Sequence, residues 1–308
     1  MTKEQLNKQT IIKNLRNDYQ LYIMLIPIVL YFAVFAYKPM WGLQIAFKDF
    51  SIFKGVSGSP WVGLDNFVEF FSTPYFGRLL RNTVMISAYS LIFSFPMPIV
   101  LALLLNEVRS KKYKSFVQTC SYLPHFVSAV VVCGMVTNFL APSSGIVNLV
   151  LNKLGFESIY FLSKPEWFRP VFIIQGIWQG TGYSSIVYLA ALGGIDTELY
   201  EAAQIDGCGR WKQTWHITLP GILPTIVTIF IMNVGNILNV GYEKIILLYQ
   251  PATYETADVI NTYVYRMGIE GTDYGLSTAV GLFNSVVNFM FVALANKISN
   301  KVNGMGLW

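Results

Sequence analysis

Charged positions are distributed unevenly along the chain, and the runs between them predict the architecture. Six stretches contain no Asp, Glu, Lys or Arg: Tyr19–Tyr37, Asn82–Asn106, Ser115–Asn152, Pro170–Ile195, Gln213–Tyr242 and Tyr274–Asn296. No other charge-free run exceeds 11 residues. A helix crosses the ~30 Å hydrocarbon layer with roughly 20 mostly apolar residues, so each stretch can supply one span. The third is too long for a single helix. The sequence Ala141-Pro142-Ser143-Ser144-Gly145 should end that span and leave Ile146–Phe156 as a short outer helix. Trp61–Phe71 has the pattern of a short helix lying in the outer interface. Pro220 is expected to open the fifth span, with Pro224 in its first turn.

The 308 residues carry 22 Lys and Arg against 17 Asp and Glu, only 13% charged. Mean hydropathy is +0.47. An ordinary soluble domain has about 25% charged residues. The expected fold class is therefore an all-α membrane protein with six transmembrane helices. Soluble enzymes, nucleic-acid binders and secreted disulfide scaffolds are disfavoured, because the net charge of +5 comes from basic residues beside the spans. The basic lead of Lys3, Lys8, Lys13 and Arg16 before the apolar run Leu21–Tyr37 would suit a signal peptide, but Ala33 to Ala36 do not form a cleavage site, and a retained helix is expected. Cys120 and Cys133 are expected in one helix, about 19.5 Å apart along its axis, where they cannot bridge. Cys208 falls in an inner loop, where thiols stay reduced.

Orientation follows from the cations. The N-terminal tail, the Arg109–Lys114 loop, Arg210 with Lys212, and Lys297 with Lys301 all fall on one side when spans are counted. The positive-inside rule makes that side, with both termini, cytosolic. Aromatic residues such as Tyr37, Trp41, Trp61 and Trp167 gather near the opposite ends, as at any membrane interface.

The loop between spans four and five is unlike the others. Glu201-Ala202-Ala203 is a strong helix former, Gly207-Cys208-Gly209 interrupts it, and a second amphipathic stretch runs to Pro220. Two small helices at an angle, joined by a glycine turn, are expected on the cytosolic face. The stretch resembles the EAA loop of ABC importer permeases: Glu-Ala-Ala, three residues, Gly, nine residues, then Ile-x-Leu-Pro. Glu201-Ala202-Ala203, Gly207, Ile217, Leu219 and Pro220 fit that spacing. Val62–Phe67 and Arg81–Thr83 also look like segments of maltose-type sugar-importer permeases. The spans and Asn239–Lys244 look closest to oligosaccharide and polysaccharide importers of Gram-positive bacteria. The likeness runs from about Ile23 to the C-terminus. Cys208 departs from a common alanine, and Trp215 stands near where an aromatic is usual.

The resemblance implies a type I importer permease fold in a bacterial plasma membrane. It would comprise a cytosolic tail over 1–18, a first helix with outer loop and interfacial helix over 19–81, a five-helix core over 82–297 with its EAA loop at 196–220, and a C-terminal tail over 298–308. It implies that Glu201, Ala202, Ala203, Asp206, Gly207, Arg210, Ile217, Leu219 and Pro220 couple the chain to an ATPase. Implied partners are a second, related permease, two cytosolic ATPase subunits and an external, lipid-anchored solute-binding protein. ATP and magnesium belong to the ATPase. This chain has no cofactor motif, no GxxxxGK[ST] and no Gly-Lys dipeptide.

Polar residues inside spans are costly and usually face a wet cavity or another helix. Span five offers Asn233, Asn236 and Asn239 in steps of three, continuing to Tyr242 and Glu243; span four offers Gln175, Trp178, Gln179 and Tyr183; span six offers Asn284 and Asn288. Amides beside rings suit a polyhydroxylated ligand, and with no Lys or Arg in the charge-free runs the cargo should be neutral. Interhelical hydrogen bonding is the plainer alternative for each residue. Gly176-x-x-x-Gly180 is expected to mark close helix packing, and His125 and His216 are too far apart for a metal pair. The function expected is the permease subunit of an ATP-driven carbohydrate importer. An ion-coupled carrier acting alone would need buried charges that are not evident. A membrane enzyme would need an HExxH, GxSxG or paired-carboxylate site, and none occurs.

Overall fold

The computed structural model describes residues 18–304, 306 and 307, with the side chains of 302 and 303 excepted. Residues 1–17, most of the basic N-terminal tail, lie outside the described residues. Among those described, the chain is helical throughout, and the sole extended pairing is an isolated bridge between Lys48 and Trp61. The helices are α1 (Tyr19–Phe47), α2 (Asp65–Ser72), α3 (Phe76–Glu107), α4 (Lys111–Phe126), α5 (Ala129–Phe139), α6 (Ile146–Lys153), α7 (Pro165–Leu192), α8 (Thr197–Ile205), α9 (Arg210–Val234), α10 (Tyr242–Leu248), α11 (Ile260–Tyr265, extended by a π turn over Arg266–Glu270) and α12 (Tyr274–Asn303).

Each charge-free run holds a helix, but four helices are long and apolar enough to cross a membrane: α1, α3, α9 and α12. A fifth is counted if α4 and α5, bent by 100°, form one broken span. α7 is long enough, yet Gln175, Gln179, Thr181, Ser184 and Ser185 make it too polar to pass by composition. Its position explains that composition. α7 lies at the centre of the bundle against α3, α4 and α9, and buries Gln175, Gln179 and Ser185 along with Phe168, Phe172 and Tyr188. α1 is the opposite case. None of the residues in its apolar window is buried, and it meets the rest of the chain through Trp41–Phe47 at its end, which packs on α12 and α2.

The break between α4 and α5 corrects the expectation of one helix carrying both Cys120 and Cys133. Pro124 has no N–H to continue the ladder, and Leu123–Phe126 tightens into a 3-10 turn. Ser128 then caps a new helix, its hydroxyl accepting from Val131 N at 3.4 Å. The two cysteines are on different helices, and both are free thiols.

A second correction concerns Pro220, which neither ends one helix nor opens another. α9 runs without interruption from Arg210 to Val234. A π turn over Thr214–Thr218 precedes the proline, with Leu219 N donating to Thr214 O five residues back. The same device recurs twice: Ala33–Tyr37 before Pro39, and Ser90–Ser94 before Pro96. Widening the helix by one residue just before a proline moves the carbonyl that its ring would strike. Three long helices thus pass through a proline intact.

Two short helices form where the sequence places them. α5 ends before the Ala141–Gly145 turn and α6 follows it. α2 covers the second half of Trp61–Phe71, ends one residue beyond it at Ser72, and buries Phe70 against Leu79, Tyr263 and Leu276. The conspicuous close approach is at Gly182, where a Cβ would overlap the backbone of Ser121 on α4. Gly176 and Gly180, read from the sequence as the packing motif, have open space beside them.

Candidate functional site

Two features stand out, one at each end of α9. At its start, the loop joins α8 to α9 through a tight glycine turn. Asp196 caps α8, accepting from Glu198 N at 3.0 Å. At the other end of α8, Gly207 N donates to Gln204 O at 3.0 Å and Cys208 N to Ala203 O at 2.8 Å. That crossed pair is a Schellman cap, and it requires Gly207 to stand at φ +76°. Gln213 Nε2 holds Cys208 O at 3.1 Å, and Tyr200 Oη meets Thr218 Oγ1 at 3.0 Å. Arg210 pairs with Glu107 at the end of α3 at 3.2 Å, both largely exposed.

Charged and large apolar side chains are exposed together on the loop's surface. Glu201, Ala202, Asp206, Gly207, Arg210 and Pro220 are exposed, and Ala203, Ile217 and Leu219 are half-buried. Beside them Ile205 is 87% and Trp211 81% exposed, with Leu199 and Trp215 also uncovered. Sequence reasoning missed Leu199, Ile205 and Trp211, whose signal was large apolar residues flanking a helix break.

Towards the other end of α9 lies a cavity of about 1010 Å³ between α3, α7 and α9. Its hydroxyls are Ser87, Ser90 and Ser94 on α3, Thr181, Tyr183, Ser184 and Tyr188 on α7, and Thr225 and Thr228 on α9. Gly176 and Gly180 line it too, which accounts for the open space beside them. Asn233, Asn236 and Asn239 all reach it. They do so by a different route from the helical stripe expected, because α9 stops at Val234 and the chain turns through Gly235–Asn239. Asn233 and Asn236 donate back to Ile229 O and Met232 O, at 2.8 and 3.1 Å. Ser87 Oγ donates to Ile237 O in the unwound segment. No charged side chain lines the cavity.

The remaining sequence candidates sit elsewhere. Gln175 Nε2 donates to Gln179 Oε1 at 3.2 Å, and Gln179 Nε2 to Val127 O at 2.9 Å, at the α4–α5 bend. Asn288 Oδ1 accepts from Leu238 N at 3.1 Å, and Asn284 Nδ2 donates to Asn261 Oδ1 at 2.8 Å. These four are buried and follow the plainer alternative of joining segments of the bundle. Trp178 and Glu243 are exposed outside the cavity, and Tyr242 lines a second, smaller pocket. The three serines of α3 were missed, although their steps of three and four within a charge-free run are a helical face.

A polar cluster ties together the helix ends on the Asn239 side. The buried carboxylate of Asp258 accepts from Arg266 at 2.7 and 2.8 Å, Arg78 at 3.1 Å and Thr262 Oγ1 at 2.8 Å. Asn82 Nδ2 donates to Asp258 O at 2.9 Å and takes Arg169 Nη2 on its Oδ1 at 2.8 Å. Burial alone would lower the Arg266 pKa, but bonds to Asp258 and Tyr249 outweigh it and hold it above its ordinary value. A hydrogen bond from Arg81 holds exposed Glu255 below the usual carboxylate range.

The profile of the binding-protein-dependent transport system inner membrane component matches residues 94–303, which contain the cavity's α7 and α9 walls and the whole Gly207 loop. The chain belongs to that family. It is similar to Protein LplB of Bacillus subtilis (strain 168), at 48% identity over 96% of this chain and 92% of that one. It is 44% identical to the polygalacturonan/rhamnogalacturonan transport system permease protein YteP of the same organism, covering 99% and 95%. A chain in the crystal structure of a bacterial ABC transporter for the acidic polysaccharide alginate superposes with a TM-score of 0.88, at 50% identity over 96% and 99%. The fold is that of a type I importer permease. The chain is a transport permease subunit, so the ion-coupled carrier and the membrane enzyme both fall away.

Proposed function

We propose that this chain is the permease subunit of an ATP-driven importer for an oligosaccharide, and the cavity between α3, α7 and α9 is the observation that carries the proposal. Its wall pairs hydroxyl and amide groups with the rings of Tyr183, Phe95 and Phe172. Such a wall hydrogen-bonds sugar hydroxyls and lies against the apolar faces of the rings. The relatives' names point to polysaccharides, one of them acidic. Lack of a cation in the wall is a weak argument for neutral cargo against those names, because several N–H and O–H donors stabilise a carboxylate by themselves. The class to test first is an oligouronate.

Transport would couple to ATP hydrolysis on a separate chain through the Gly207 loop. Glu201, Ala202, Ala203, Asp206, Gly207, Arg210, Ile217, Leu219 and Pro220 would dock in a groove of an ATPase dimer, with ATP and magnesium held there. Exposed Ile205 and Trp211 support that reading, since apolar side chains on a cytosolic loop call for a cover. A cavity walled by one chain's helices needs a second permease to close it. An external binding protein would deliver the sugar; a related transporter has been solved with a pentasaccharide-bound periplasmic protein. In this arrangement α7 is the sixth span, and both termini and the Gly207 loop are cytosolic. The core covers 82–297, and the assembly sits in a bacterial plasma membrane.

The test is reconstitution of the four-part complex in proteoliposomes with labelled oligouronates and neutral oligosaccharides. ATP-dependent, binding-protein-dependent uptake is expected. Uptake by this chain alone, or of no saccharide, would overturn the proposal.

A further inference from the structure

Tyr242, Asn239 and Asn284 were marked by the sequence as one polar path, but the main cavity takes only Asn239 of the three. A second pocket takes Tyr242, and Asn284 lies between the two. The second pocket has a volume of about 310 Å³ and lies between α11, the start of α10 and the start of α12. α11 contributes Asn261, Val264, Tyr265, Gly268 and Ile269, which at steps of three, four, seven and eight form one helical face. Tyr242, Tyr274 and Ser277 complete the wall. The rings of Tyr242 and Tyr265 have centroids 6.2 Å apart with planes at 34°.

The pocket's shape is built into the backbone. A Cβ on Gly268 would come within 2.7 Å of Ser277 Oγ, so glycine brings α11 and α12 together at the floor. The turn between the two helices places Thr272 at φ +58°, a conformation unfavourable for a β-branched residue. Asp273 Oδ1 then caps α12 by accepting from Leu276 N at 3.0 Å. Strain of this kind persists where surrounding contacts demand one geometry.

The two cavities are joined by amides. Asn284 Nδ2 faces Asn261 Oδ1 at 2.8 Å, on the wall of the small pocket, and Asn239 Oδ1 at 3.5 Å, on the wall of the large one. The Asn284 side chain is buried, and its Oδ1 accepts no hydrogen bond.

We infer that the pocket of Tyr242, Tyr265, Tyr274 and Asn261 is a second saccharide subsite, on the outer side of the main cavity and joined to it through Asn261, Asn284 and Asn239. The inference rests on the oligosaccharide reading above. Tyrosine rings lie against the faces of a sugar ring while Asn261 and Ser277 engage its hydroxyls. An oligomer that overfills the main cavity therefore reaches the subsite, whereas a dimer does not.

The experiment measures uptake of digalacturonate and pentagalacturonate by the reconstituted complex. Tyr242→Leu and Tyr265→Leu should raise the KM for the pentamer about three- to tenfold, the loss of one aromatic contact, and leave the dimer unchanged. Tyr265→Phe keeps the ring and should retain most of the affinity. Ile269→Trp, at an exposed rim position outside the packed core, should obstruct the pocket and weaken only the pentamer. Equal shifts for dimer and pentamer, or wild-type pentamer KM in the Leu and Trp variants, would overturn the subsite. Failure of the wild-type complex to take up either sugar would sink the oligouronate reading and the subsite with it.

Discussion

Gly207 offers the sharpest test of the proposed coupling loop, because its role reduces to one backbone angle. A Cβ at this position meets nothing within 4 Å, so a substitution clashes with no neighbour. Its cost is that of placing an L-residue at φ +76°, roughly 1–2 kcal/mol. That amounts to about a 5- to 30-fold loss of the Schellman-capped conformer. Asn tolerates the left-handed region better than other residues, and β-branched residues tolerate it least. Docking of the ATPase should therefore weaken in the order Gly, Asn, Ala, Val. Gly207→Asn should lie near wild type and Gly207→Val at least tenfold weaker. The assay titrates purified ATPase against the permease complex in detergent, with ATP-driven uptake measured in parallel. Wild-type docking and uptake by Gly207→Val would refute the reasoning. So would equal defects for Asn and Val, since side-chain bulk rather than backbone angle would then be the cause.

Gly182→Ala should separate α7 from α4, because the added methyl overlaps the Ser121 backbone, which cannot swing aside. A loss of about 1–3 kcal/mol is expected from overpacking, read as a lower Tm in detergent, while Gly180→Ala should leave Tm unchanged. Asp258→Ala leaves Arg78 and Arg266 without their shared carboxylate. It should cost about 3 kcal/mol or more, measured by denaturant unfolding. Glu107→Gln breaks only an exposed pair and should change Tm by less than the equivalent of about 1 kcal/mol. Replacing Asn236 and Asn239 together by Ala should change uptake KM or sugar selectivity while the complex still assembles; unchanged uptake would remove both from the path.

The helices were legible because charge is costly in lipid, so the lipid-facing runs in the sequence are free of it. What that rule cannot see is whether an uncharged helix faces lipid or its own neighbours. α1 and α7 have equally clean charge-free runs, yet α1 leaves its apolar window unburied and α7 fills the centre with Gln175, Gln179 and Ser185. The difference lay in the hydroxyls and amides rather than in the charges. The same blindness affected the path residues. Asn233, Asn236 and Asn239 reach a cavity, whereas Gln175, Gln179 and Asn288 hold segments together. An amide suits either task, and only the position of the neighbouring backbone separates them.

Proline misled for a related reason. Read residue by residue, Pro220 marks a boundary, because a missing N–H and a bulky ring interrupt an α-helix. The chain instead absorbs it with a π turn, and does the same before Pro39 and Pro96. The consequence for the proposed coupling loop is mechanical. With α9 continuous from Arg210 to Val234, the segment after the Gly207 turn belongs to the same helix whose far end presents Asn233 to the cavity. Twenty-five residues at 1.5 Å each make a lever of about 37 Å. Under the proposed coupling, a displacement imposed at Arg210 would be carried along that helix to the cavity wall. Had Pro220 broken the helix, as its sequence position suggests, motion at the loop would have ended in a hinge.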